Sequence, residues 1–501
     1  MSAGLVSLEL LLRGLAPVPR DVSLTDVTLD SRQVRPGGAF LACRGERRHG
    51  LEFAADVARR GAAAIVWEPD GVNQPPRFES DIVLAEVPRL SERASLIAHR
   101  FFDAPSRRLD VIGVTGTNGK TTCAWLLAQA LSACDLPAAY MGTLGAAFGG
   151  TLVAGEMTTP DAVTVQRELA GFAARRARKV AMEVSSHGLA QGRVGEVHFD
   201  AAVFTNLTRD HLDFHGDMQR YGAAKASLFE REDVRLRVFN VDDAFGAQLA
   251  ARPAFADRIA CSRLPGAEPA GRFVLAHDVR FDATGTQFAI ASSFGSARVA
   301  TRLLGEFNVD NVLAVLAVLL GSGVELQRAV DALQSLTAPS GRLEVLTRAG
   351  APLVVVDYAH SPDALEKALQ VLRRHCAGRL IAVFGCGGDR DRGKRPQMGA
   401  VAARLADAVV ITDDNPRSES GDAIVAQILA GCAGSATPVS VQRDRRAAIA
   451  GAIGGAQAGD VVLVAGKGHE SVQIVGLEHR PFSDQAEVRA ALGVAAPGGA
   501  A

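Results

Sequence analysis

One stretch, residues 111–122 with the sequence VIGVTGTNGKTT, limits most strongly what this chain can fold into. It starts with β-branched residues, continues into a glycine loop and leads into an apolar helical pattern over Cys123–Cys134. Backbone N–H groups of such a loop, together with the N-terminus of the next helix, bind phosphate. Lys120 would reach the outer phosphates, and the hydroxyl of Thr121 would hold Mg²⁺. The order of elements therefore predicts a nucleotide-binding α/β domain.

The glycine spacing differs from that of the strict P-loop, which has four residues between its two glycines. Here only Thr117 and Asn118 separate Gly116 from Gly119, so the match is to a shorter variant. The alternative is a chance Gly-x-x-Gly-Lys-Thr in a chain that has 51 glycines. The predicted strand before the loop and the predicted helix after it favour the phosphate-binding interpretation.

Composition excludes several classes of protein. The chain has 501 residues, enough for about three domains. A net charge of −1 argues against a general nucleic-acid or membrane-surface role. The seven cysteines form no C-x-x-C pair, which favours reduced thiols and a cytoplasmic protein. Glu9 and Arg13 interrupt the N-terminal apolar run, and the uncharged stretch Asn311–Val324 is too short to span a bilayer.

The alternation of predicted strands and helices divides the chain into three α/β domains. Residues 1–107 form a small N-terminal α/β domain, 108–342 a central P-loop-type ATPase domain, and 343–501 a C-terminal Rossmann-like domain. Within the central domain, Arg272–Leu304 has the alternation and turns of antiparallel hairpins, and a helix is predicted over Asn308–Leu320. The predicted strands elsewhere include Phe40–Cys43, Ala63–Trp67, Lys179–Val184, Ala201–Thr205, Arg237–Val241, Leu353–Tyr358, Leu380–Phe384, Ala408–Thr412 and Val461–Ala465.

Carboxylates and histidines follow two predicted strands of the central domain, in the segments 183–187 and 205–215. Beside a phosphate loop, such groups suit Mg²⁺, and we select Glu183 and His211 as candidates. Asp210, Asp213 and His215 have a simpler interpretation, as caps of the next helix. Zinc is a weak alternative, because no cysteine accompanies the histidines at ligand spacing.

Three further polar residues of the central domain leave alternatives open. Lys225 lies on a predicted helix, Tyr221–Phe229, and its neighbours predict an ordinary surface lysine. Asn308 and Asn311 are three residues apart and share one helix face, where two amides suit an adenine edge or a phosphate oxygen. Asn308 is equally suited to be only an N-cap.

In the C-terminal domain, a polar loop follows each of four predicted strands, and such loops meet at the carboxyl edge of a parallel sheet. Arg390 and Arg417 have the planar group that binds carboxylates in bidentate fashion. Glu470 would suit an ammonium group. The predicted crevice therefore fits an amino acid, and solvated loop charge is the alternative. The loops begin at Asp357, Gly385, Asp413 and Gly466.

Taken together, these motifs resemble the Mur ligases, ATP-dependent ligases that build the stem peptide of peptidoglycan. The resemblance covers nearly the whole chain. Asp30-Ser31-Arg32 with Pro36-Gly37 looks like a uridine-diphosphate-binding domain, and Asp414-Asn415-Pro416-Arg417 looks like the signature of members that accept meso-diaminopimelate rather than lysine. The other matching motifs are Val114–Thr122, Glu183–Ser186, Thr205–Leu207, Asp210–Asp213, Gly305–Asn311, Gly341-Arg342 and Asp357–His360.

The resemblance implies a reaction and its participants. ATP, with Mg²⁺, would phosphorylate the D-glutamyl carboxylate of UDP-N-acetylmuramoyl-L-alanyl-D-glutamate, and an amine of meso-diaminopimelate would displace the phosphate. This would take place in the cytoplasm, as a step of peptidoglycan precursor synthesis. We expect a monomer with these small molecules as its only partners, and neither nucleic acid nor membrane among them.

The resemblance also implies a role for individual residues. The catalytic set is Lys120, Glu183, His211 and Lys225, and the metal set is Thr121, Glu183, His211 and Lys225. Lys225 would be carbamylated (N6-carboxylysine), which replaces the surface-lysine interpretation. ATP contacts are Gly116, Thr117, Asn118, Gly119, Lys120, Thr121, Thr122, Asn308, Asn311, Arg342 and Asp357. Contacts to the nucleotide-sugar peptide are Leu29, Ser31, Thr158, Thr159, Ser185, Gln191 and Arg193. Contacts to diaminopimelate are Arg390, Asp414, Asn415, Pro416, Arg417, Gly466 and Glu470.

Three other functions compete with this one. A related ligase that adds D-alanyl-D-alanine, or a folylpolyglutamate synthase, is disfavoured by Asp414–Arg417 and by the uridine-type N-terminal domain. A P-loop switch or motor would have no need of the amino-acid crevice. A non-catalytic nucleotide-sugar binding protein would not need Lys120, Glu183 and His211 together.

Overall fold

The computed structural model describes residues 5–45, 48–70, 81–255, 257–266, 269 and 271–494. The chain divides into two compact units, Met1–Ala260 and Cys261–Ala501. Both contain parallel sheets flanked by helices, so the α/β prediction is confirmed. This division does not test the predicted boundaries of three domains, which stay a prediction. Among the described helices, none has the length and hydropathy needed to cross a bilayer.

The first unit contains two mainly parallel sheets, a short antiparallel two-stranded sheet, and helices that cover them. Its strands are β1 (Val6–Ser7), β2 (Ser23–Leu24), β3 (Val27–Thr28), β4 (Ala39–Ala42), β5 (Ala64–Trp67), β6 (Val83–Glu86), β7 (Asp110–Thr115), β8 (Ala138–Gly142), β9 (Gly145–Phe148), β10 (Thr151–Val153), β11 (Lys179–Glu183), β12 (Ala201–Phe204) and β13 (Leu236–Asn240). Its helices are α1 (Leu8–Leu12), α2 (Ala54–Arg59), α3 (Leu90–Phe101), α4 (Lys120–Ala133), α5 (Ala162–Ala174), α6 (Ser186–Ala190), α7 (Leu212–His215), α8 (Met218–Ala226) and α9 (Ala244–Ala250).

The smaller sheet of this unit has the order β3-β4-β5-β6, and all its pairs are parallel. Helix α5 packs against this sheet, because its residues Ala162 and Val163 are buried in the same apolar core as β4 and β5. The guanidinium of Arg167 on α5 also donates to the carbonyl of Val27, at 2.5 Å. The N-terminal sheet is therefore fixed to a helix that the sequence assigns to the central domain.

The larger sheet runs in the order β10-β9-β8-β11-β7-β12-β13. Strands β8, β11, β7, β12 and β13 are parallel, and β9 and β10 add an antiparallel edge. Glu183 pairs in register with Val114, and Phe204 pairs with Thr115. The loops that follow β7, β11 and β12 consequently leave the same edge side by side. That edge carries the phosphate loop and the predicted magnesium ligands.

Helix α4 starts earlier than its apolar pattern indicates. The pattern begins at Cys123, whereas the helix begins at Lys120, directly after Gly119 in a left-handed conformation with φ 84°. The polar residues Lys120 and Thr121 thus form the first helical turn, where free N–H groups face the loop. Periodicity missed this turn because its side chains serve the loop rather than the core.

The second unit contains an antiparallel meander and a mostly parallel sheet with helices around it, while β14 (Arg258–Ser262) lies at the boundary of the units. Its strands are β15 (Arg272–Asp282), β16 (Gly285–Ser292), β17 (Gly295–Thr301), β18 (Glu344–Leu346), β19 (Leu353–Asp357), β20 (Leu380–Phe384), β21 (Ala408–Ile411), β22 (Val439–Val441), β23 (Val461–Ala465), β24 (Val472–Val475) and β25 (Glu478–Pro481). Its helices are α10 (Glu306–Gly321), α11 (Leu326–Gln334), α12 (Pro362–Arg373), α13 (Lys394–Leu405), α14 (Gly421–Cys432), α15 (Arg445–Gly454) and α16 (Asp484–Leu492).

The sheet of the second unit has the order β18-β19-β23-β20-β21-β22. All its pairs are parallel except that of the edge strand β18 with β19. The predicted strands Leu380–Phe384 and Val461–Ala465 are confirmed residue for residue, because both are apolar runs buried on two faces. Antiparallel pairing of β15, β16 and β17 confirms the hairpin region. Strands β19, β20, β21 and β23 end beneath the four polar loops.

Candidate active site

The glycine loop after β7 is held by the loop after β12. The backbone N–H of Thr117 donates to the carbonyl of Asn206 at 2.8 Å, and that of Asn118 donates to Asn206 Oδ1 at 2.9 Å. Gly116 has φ 148°, and a Cβ there would collide with Oγ1 of Thr205. Only glycine therefore allows this close approach of the two loops, which shapes the cradle for an anion.

Lys120 lies over this cradle. Its Nζ donates to the carbonyl of Gly116 at 2.9 Å and to that of Thr117 at 2.8 Å. These contacts hold a positive charge beside the loop amides, which is what polyphosphate recognition requires. The structure thus places Lys120 where the sequence predicted it.

Glu183 is the charged centre of the site, and its side chain is wholly buried. Oε1 accepts hydrogen bonds from the hydroxyl of Tyr140 at 2.5 Å and from the N–H of Thr143 at 2.8 Å. Oε2 accepts one from Oγ1 of Thr121 at 2.9 Å. The structure therefore brings together two of the predicted magnesium ligands, Thr121 and Glu183, as adjacent hard oxygen donors. The sequence did not indicate Tyr140, which lies within β8, or Thr143, which directly follows that strand.

Most of the residues predicted to contact the nucleotide-sugar peptide form one hydrogen-bonded network around Glu183. Oγ1 of Thr159 donates to the carbonyl of Glu183 at 2.9 Å and accepts from the N–H of Ser185 at 2.9 Å. Arg193 donates to the carbonyl of Thr159 at 2.7 Å, and its burial lowers the pKa of the guanidinium. The other contacts are Thr158 Oγ1 to Thr143 Oγ1 at 3.0 Å and Arg193 Nε to Gln191 Oε1 at 2.9 Å.

Leu29 and Ser31 follow β3 in the smaller sheet. Leu29 packs against the N-terminal apolar core, and Ser31 begins a short 3₁₀ helix, Ser31–Gln33. Asp30 caps this helix by accepting from the N–H of Arg32 at 2.9 Å, and the Arg32 guanidinium lowers the pKa of the Asp30 carboxyl. These residues therefore form a capped helical turn, and the contact of Leu29 and Ser31 to uridine stays a prediction.

Lys225 is buried, with 1% of its surface exposed, so the surface-lysine interpretation was wrong. Its Nζ donates to the carbonyl of Gly116 at 2.7 Å and lies 4.4 Å from the centroid of the Tyr221 ring. Burial, and then the charge of Lys120, lower its pKa to about 6. The amine is therefore largely neutral at pH 7 and ready to react as a nucleophile.

A cluster of aromatic rings surrounds His211. Its ring centroid lies 4.8 Å from that of His187 and 6.2 Å from that of Tyr221. The hydroxyl of Tyr221 lies 3.1 Å from Oγ1 of Thr117, so the cluster is connected to the phosphate loop. His187, which lies in α6, was not among the predicted ligands, because the stacking of rings from separate segments leaves no pattern in the sequence.

The helix-cap interpretation of the residues near His211 was wrong. Helix α7 has His211 itself at its N-cap, in a left-handed conformation, and no side chain caps it. Helix α8 is capped by Asp217, whose side chain accepts from the N–H of Arg220. His215 is buried inside α7, and its Nε2 has no hydrogen-bond partner among the described residues. His215, the last residue of α7, therefore packs among the rings and does not cap the next helix.

In the described part of the chain, no three His, Cys, Asp or Glu side chains are arranged to hold a metal ion. The predicted metal set differs in kind, because it includes the hydroxyl of Thr121 and a modified lysine. Within it, Thr121 and Glu183 are in contact, whereas His211 and Lys225 both lie beside Tyr221. The oxygen pair fits Mg²⁺, and the roles of His211 and Lys225 stay predictions.

In the second unit, Asn308 and Asn311 are buried and bonded to each other. Nδ2 of Asn311 donates to Oδ1 of Asn308 at 3.1 Å, and Nδ2 of Asn308 donates to the carbonyl of Leu304 at 2.8 Å. The N-cap interpretation of Asn308 was wrong, since α10 begins at Glu306 and is preceded by Gly305. Their role toward ATP stays a prediction.

Asp357 and Arg342 lie close to each other, at the end of β19 and before β18. Asp357 accepts from the N–H of Leu343 at 2.7 Å and from that of Ala359 at 2.9 Å, while burial raises the pKa of its carboxyl. The guanidinium of Arg342 lies 5.5 Å from the centroid of the Tyr358 ring. The predicted ATP contact of both residues remains untested.

The loops after β19, β20, β21 and β23 converge, as the sequence predicted. Nη1 of Arg417 donates to the carbonyl of Gly388 at 2.8 Å, and Nδ2 of Asn415 donates to Oε2 of Glu470 at 2.9 Å. The ring centroids of Tyr358 and His469 are 5.4 Å apart. These contacts join all four loops into one crevice.

Burial decides between the two interpretations of the crevice. Asp414, Asn415 and Pro416 are buried, so solvated loop charge does not describe them, whereas Arg390 is exposed. Gly466 has φ 118°, and a Cβ there would lie 2.6 Å from Oδ2 of Asp414. Burial also raises the pKa of the Asp414 carboxyl. The loops therefore form an ordered crevice with buried polar side chains.

Lys467 is a buried charged residue of this crevice that the sequence did not indicate. It is wholly buried, and its Nζ donates to Oδ1 of Asn415 at 3.0 Å, to Oε2 of Glu470 at 3.0 Å and to the carbonyl of Val472 at 2.7 Å. A lysine between two glycines resembles solvent-exposed loop sequence, so its burial gives no pattern that periodicity detects.

Three family models match the chain. One described as the Mur ligase family, catalytic domain, matches residues 23–101, the Mur ligase middle domain matches 114–319, and the Mur ligase, glutamate ligase domain, matches 341–468. The chain is similar to the UDP-N-acetylmuramoyl-L-alanyl-D-glutamate–2,6-diaminopimelate ligase of Ectopseudomonas mendocina (strain ymp), with 50% identity over 94% of this chain and 95% of that one. The enzyme of the same name from Pseudomonas aeruginosa PAO1 is 48% identical over 94% and 96% of the two chains.

Solved structures agree with these relatives. A structure of UDP-N-acetylmuramoyl-L-alanyl-D-glutamate–2,6-diaminopimelate ligase has a TM-score of 0.72 and 34% identity, covering 98% of this chain and 99% of that one. MurF from Acinetobacter baumannii has a TM-score of 0.67 with 19% identity, covering 92% and 96%, and this shows a shared fold alone.

The depressed pKa of Lys225 predicts a pH-dependent stability. Between pH about 6 and the ordinary value of 10.5, the unfolded chain binds a proton that the folded chain does not. Stability therefore rises with pH in this window, and the full cost of burying the amine applies below it. In CO₂-free buffer, we expect Lys225→Met to be more stable than the parent near pH 6.5. The difference in free energy of unfolding between Lys225→Met and the parent should shrink toward pH 9.5, by at most about 1.4 kcal/mol per pH unit. Urea denaturation at several pH values measures this, and a difference independent of pH would contradict it.

Proposed function

The chain belongs to the Mur ligase family, and we propose that it joins meso-diaminopimelate to the D-glutamyl carboxylate of UDP-N-acetylmuramoyl-L-alanyl-D-glutamate at the expense of ATP. The observation that carries the proposal is the crevice in which Arg417, Asn415 and Glu470 meet. Relatives at about half identity over nearly the full chain bear the name of this ligase. The product would be a cytoplasmic precursor of peptidoglycan.

The loop 116–122 is the proposed site of the ATP phosphates. Its amides and the first turn of α4 offer N–H donors, and Lys120 adds a positive charge that favours transfer of the γ-phosphoryl group. Thr121 and Glu183 would hold Mg²⁺, which would neutralise phosphate charge when bound. Catalysis of this kind depends on positioning and charge, because phosphoryl transfer needs little covalent help from the protein.

The proposed reaction has two steps. An oxygen of the D-glutamyl carboxylate attacks the γ-phosphorus, and the bond to the β-phosphate oxygen breaks, giving an acyl phosphate and ADP. The neutral amine of diaminopimelate then attacks the acyl carbon, and the tetrahedral intermediate expels phosphate as the amine loses its proton. The network of Thr158, Thr159, Ser185 and Arg193 around Glu183 is the proposed binding site for the peptide that carries this carboxylate.

Lys225 is proposed to be carbamylated. Its neutral amine would attack CO₂, forming an N–C bond and releasing a proton, so that a buried base becomes an anion. Its depressed pKa supports the first step, because only the unprotonated amine reacts. The nearby charge of Lys120 supports the second, because it stabilises the anion that forms.

The arrangement of the whole chain follows from the same proposal. We assign residues 1–107 to uridine-diphosphate binding, 108–342 to ATP and 343–501 to the amino acid. We expect a monomer that binds these small molecules, and a cytoplasmic location where ATP is available.

The decisive experiment measures phosphate release from ATP in the presence of UDP-N-acetylmuramoyl-L-alanyl-D-glutamate, with meso-diaminopimelate or L-lysine added in parallel. We expect release that requires diaminopimelate, and a product heavier by one such residue in mass spectrometry. Preference for lysine would retain a ligase but refute the acceptor. Release that is indifferent to both amino acids would instead indicate a switch or motor that hydrolyses ATP.

Arg417 should determine the choice of acceptor. Diaminopimelate has one more carboxylate than lysine, and lysine would leave a desolvated guanidinium without its anion. We expect Arg417→Ala to raise KM for diaminopimelate about 30- to 300-fold, or about 2–3 kcal/mol, with little change for ATP or the nucleotide sugar. Arg480→Ala is the matched control, because that arginine is exposed and pairs only with Glu478 among the described residues. Equal losses for all three substrates would refute the assignment.

The activity lost on replacing Lys225 should be restored by a small added anion rather than by a neutral molecule of similar size. We expect Lys225→Ala to be nearly inactive in the phosphate-release assay and to recover part of its activity in acetate, since a carboxylate can replace the carbamate. Lys179→Ala serves as a control, because Lys179 pairs with Asp110 at the start of β11. Recovery in acetamide equal to that in acetate would argue against an anion at this position.

A further inference from the structure

Lys467 is a buried lysine in the acceptor crevice, and it is not one of the proposed contacts to diaminopimelate. It lies two residues beyond the end of β23, and none of its surface is exposed. Its three hydrogen bonds go to three different segments, namely Asn415 after β21, Glu470 in its own loop, and Val472 at the start of β24. An ammonium group has three N–H donors, and here each has an acceptor.

These bonds determine how the amide of Asn415 is oriented. Oδ1 accepts from Lys467 Nζ at 3.0 Å and from the N–H of Ile474 at 2.9 Å, and Nδ2 donates to Oε2 of Glu470 at 2.9 Å. An ammonium cannot accept a hydrogen bond, so Lys467 fixes which end of the amide faces it. Both ends of the Asn415 amide are therefore hydrogen-bonded to protein groups, which fixes this part of the crevice.

The strand β24 extends this arrangement to Arg417. The N–H of Arg417 donates to the carbonyl of Ile474 at 3.1 Å, and the N–H of Gly476 donates to the carbonyl of Arg417 at 2.8 Å. These bonds hold Arg417 at φ 52°, a conformation that favours glycine in the absence of such support. Because Lys467 binds the carbonyl of Val472, it anchors the strand that holds this backbone.

We propose that Lys467 is the positioning residue of the acceptor pocket. It holds one oxygen of Glu470 and, through Asn415 and β24, the backbone of Arg417, so that both ends of the acceptor meet groups already in place. This inference rests on the proposed function, since it concerns the binding of meso-diaminopimelate. Preorganised groups bind a ligand without an ordering cost, so loss of Lys467 weakens acceptor binding more than it slows the chemical step.

The kinetic test compares Lys467→Met and Lys467→Arg with the parent enzyme. We expect Lys467→Met to raise KM for meso-diaminopimelate about 10- to 100-fold, and to leave KM for ATP within about twofold. Lys467→Arg restores part of the loss because it keeps a positive donor. The control is Asp460→Asn, since Asp460 is also buried but directly precedes β23, at the other end of that strand, where it accepts from Arg379 N–H at 2.7 Å. Equal rises in KM for both substrates, or none, would overturn the inference.

Amide hydrogen exchange without any substrate gives a second, independent readout. In Lys467→Met we expect faster exchange at Arg417 and Ile474, with exchange in β20 unchanged; in Asp460→Asn we expect the two loop amides to keep their protection. Acceleration throughout the sheet would mean a merely structural role and would overturn the inference. If the parent enzyme ignores diaminopimelate while the loop amides respond as expected, the proposed function fails and the positioning role stands.

Discussion

The burial of the Glu183 carboxylate is the constraint on which the first unit depends. A buried charge is costly unless every lone pair finds a donor, and here Tyr140, Thr143 and Thr121 supply them. These donors come from β8, the loop after it and the first turn of α4, while Glu183 ends β11. The register of parallel strands must therefore bring those ends together, which ties the sheet order to the site. All the donors are neutral, so these hydrogen bonds add no positive charge beside the carboxylate.

The second unit also contains buried carboxyl groups, but positive side chains lie beside them. Its crevice contains the buried carboxyl of Asp414, and the positive groups near it are Arg445 and Lys467. Arg445 is itself paired with Asp484 at 2.7 Å, and both side chains are wholly buried. Breaking one member of such a pair costs more than the pair contributes, so these groups fix one arrangement of the loops. The first site thus holds its buried carboxylate with neutral donors, whereas the second places positive side chains beside its buried carboxyl groups.

The sequence could predict those parts of the fold that depend on local pattern. The strands Leu380–Phe384 and Val461–Ala465 were predicted to the residue, since an apolar run buried on both faces has clear ends. The convergence of polar loops followed from the geometry of parallel strands. Burial of Lys225 and Lys467 could not be predicted, because each depends on carbonyls or side chains brought near by the fold. The start of α10 at Glu306, two residues before Asn308, was missed because Gly305 gives no side-chain signal for a cap.

The two lysines that share the carbonyl of Gly116 show why local pattern is insufficient. Lys120 and Lys225 are separated by 105 residues of sequence, yet both amines donate to the same oxygen, at 2.9 Å and 2.7 Å. Two positive charges so close to one another repel, and the more deeply buried Lys225 is the one that loses its proton. Such a pair is unfavourable unless one amine stays neutral or becomes an anion. The proposed carbamylation would place an anion at Lys225, and that anion would turn this repulsion into attraction across the phosphate loop.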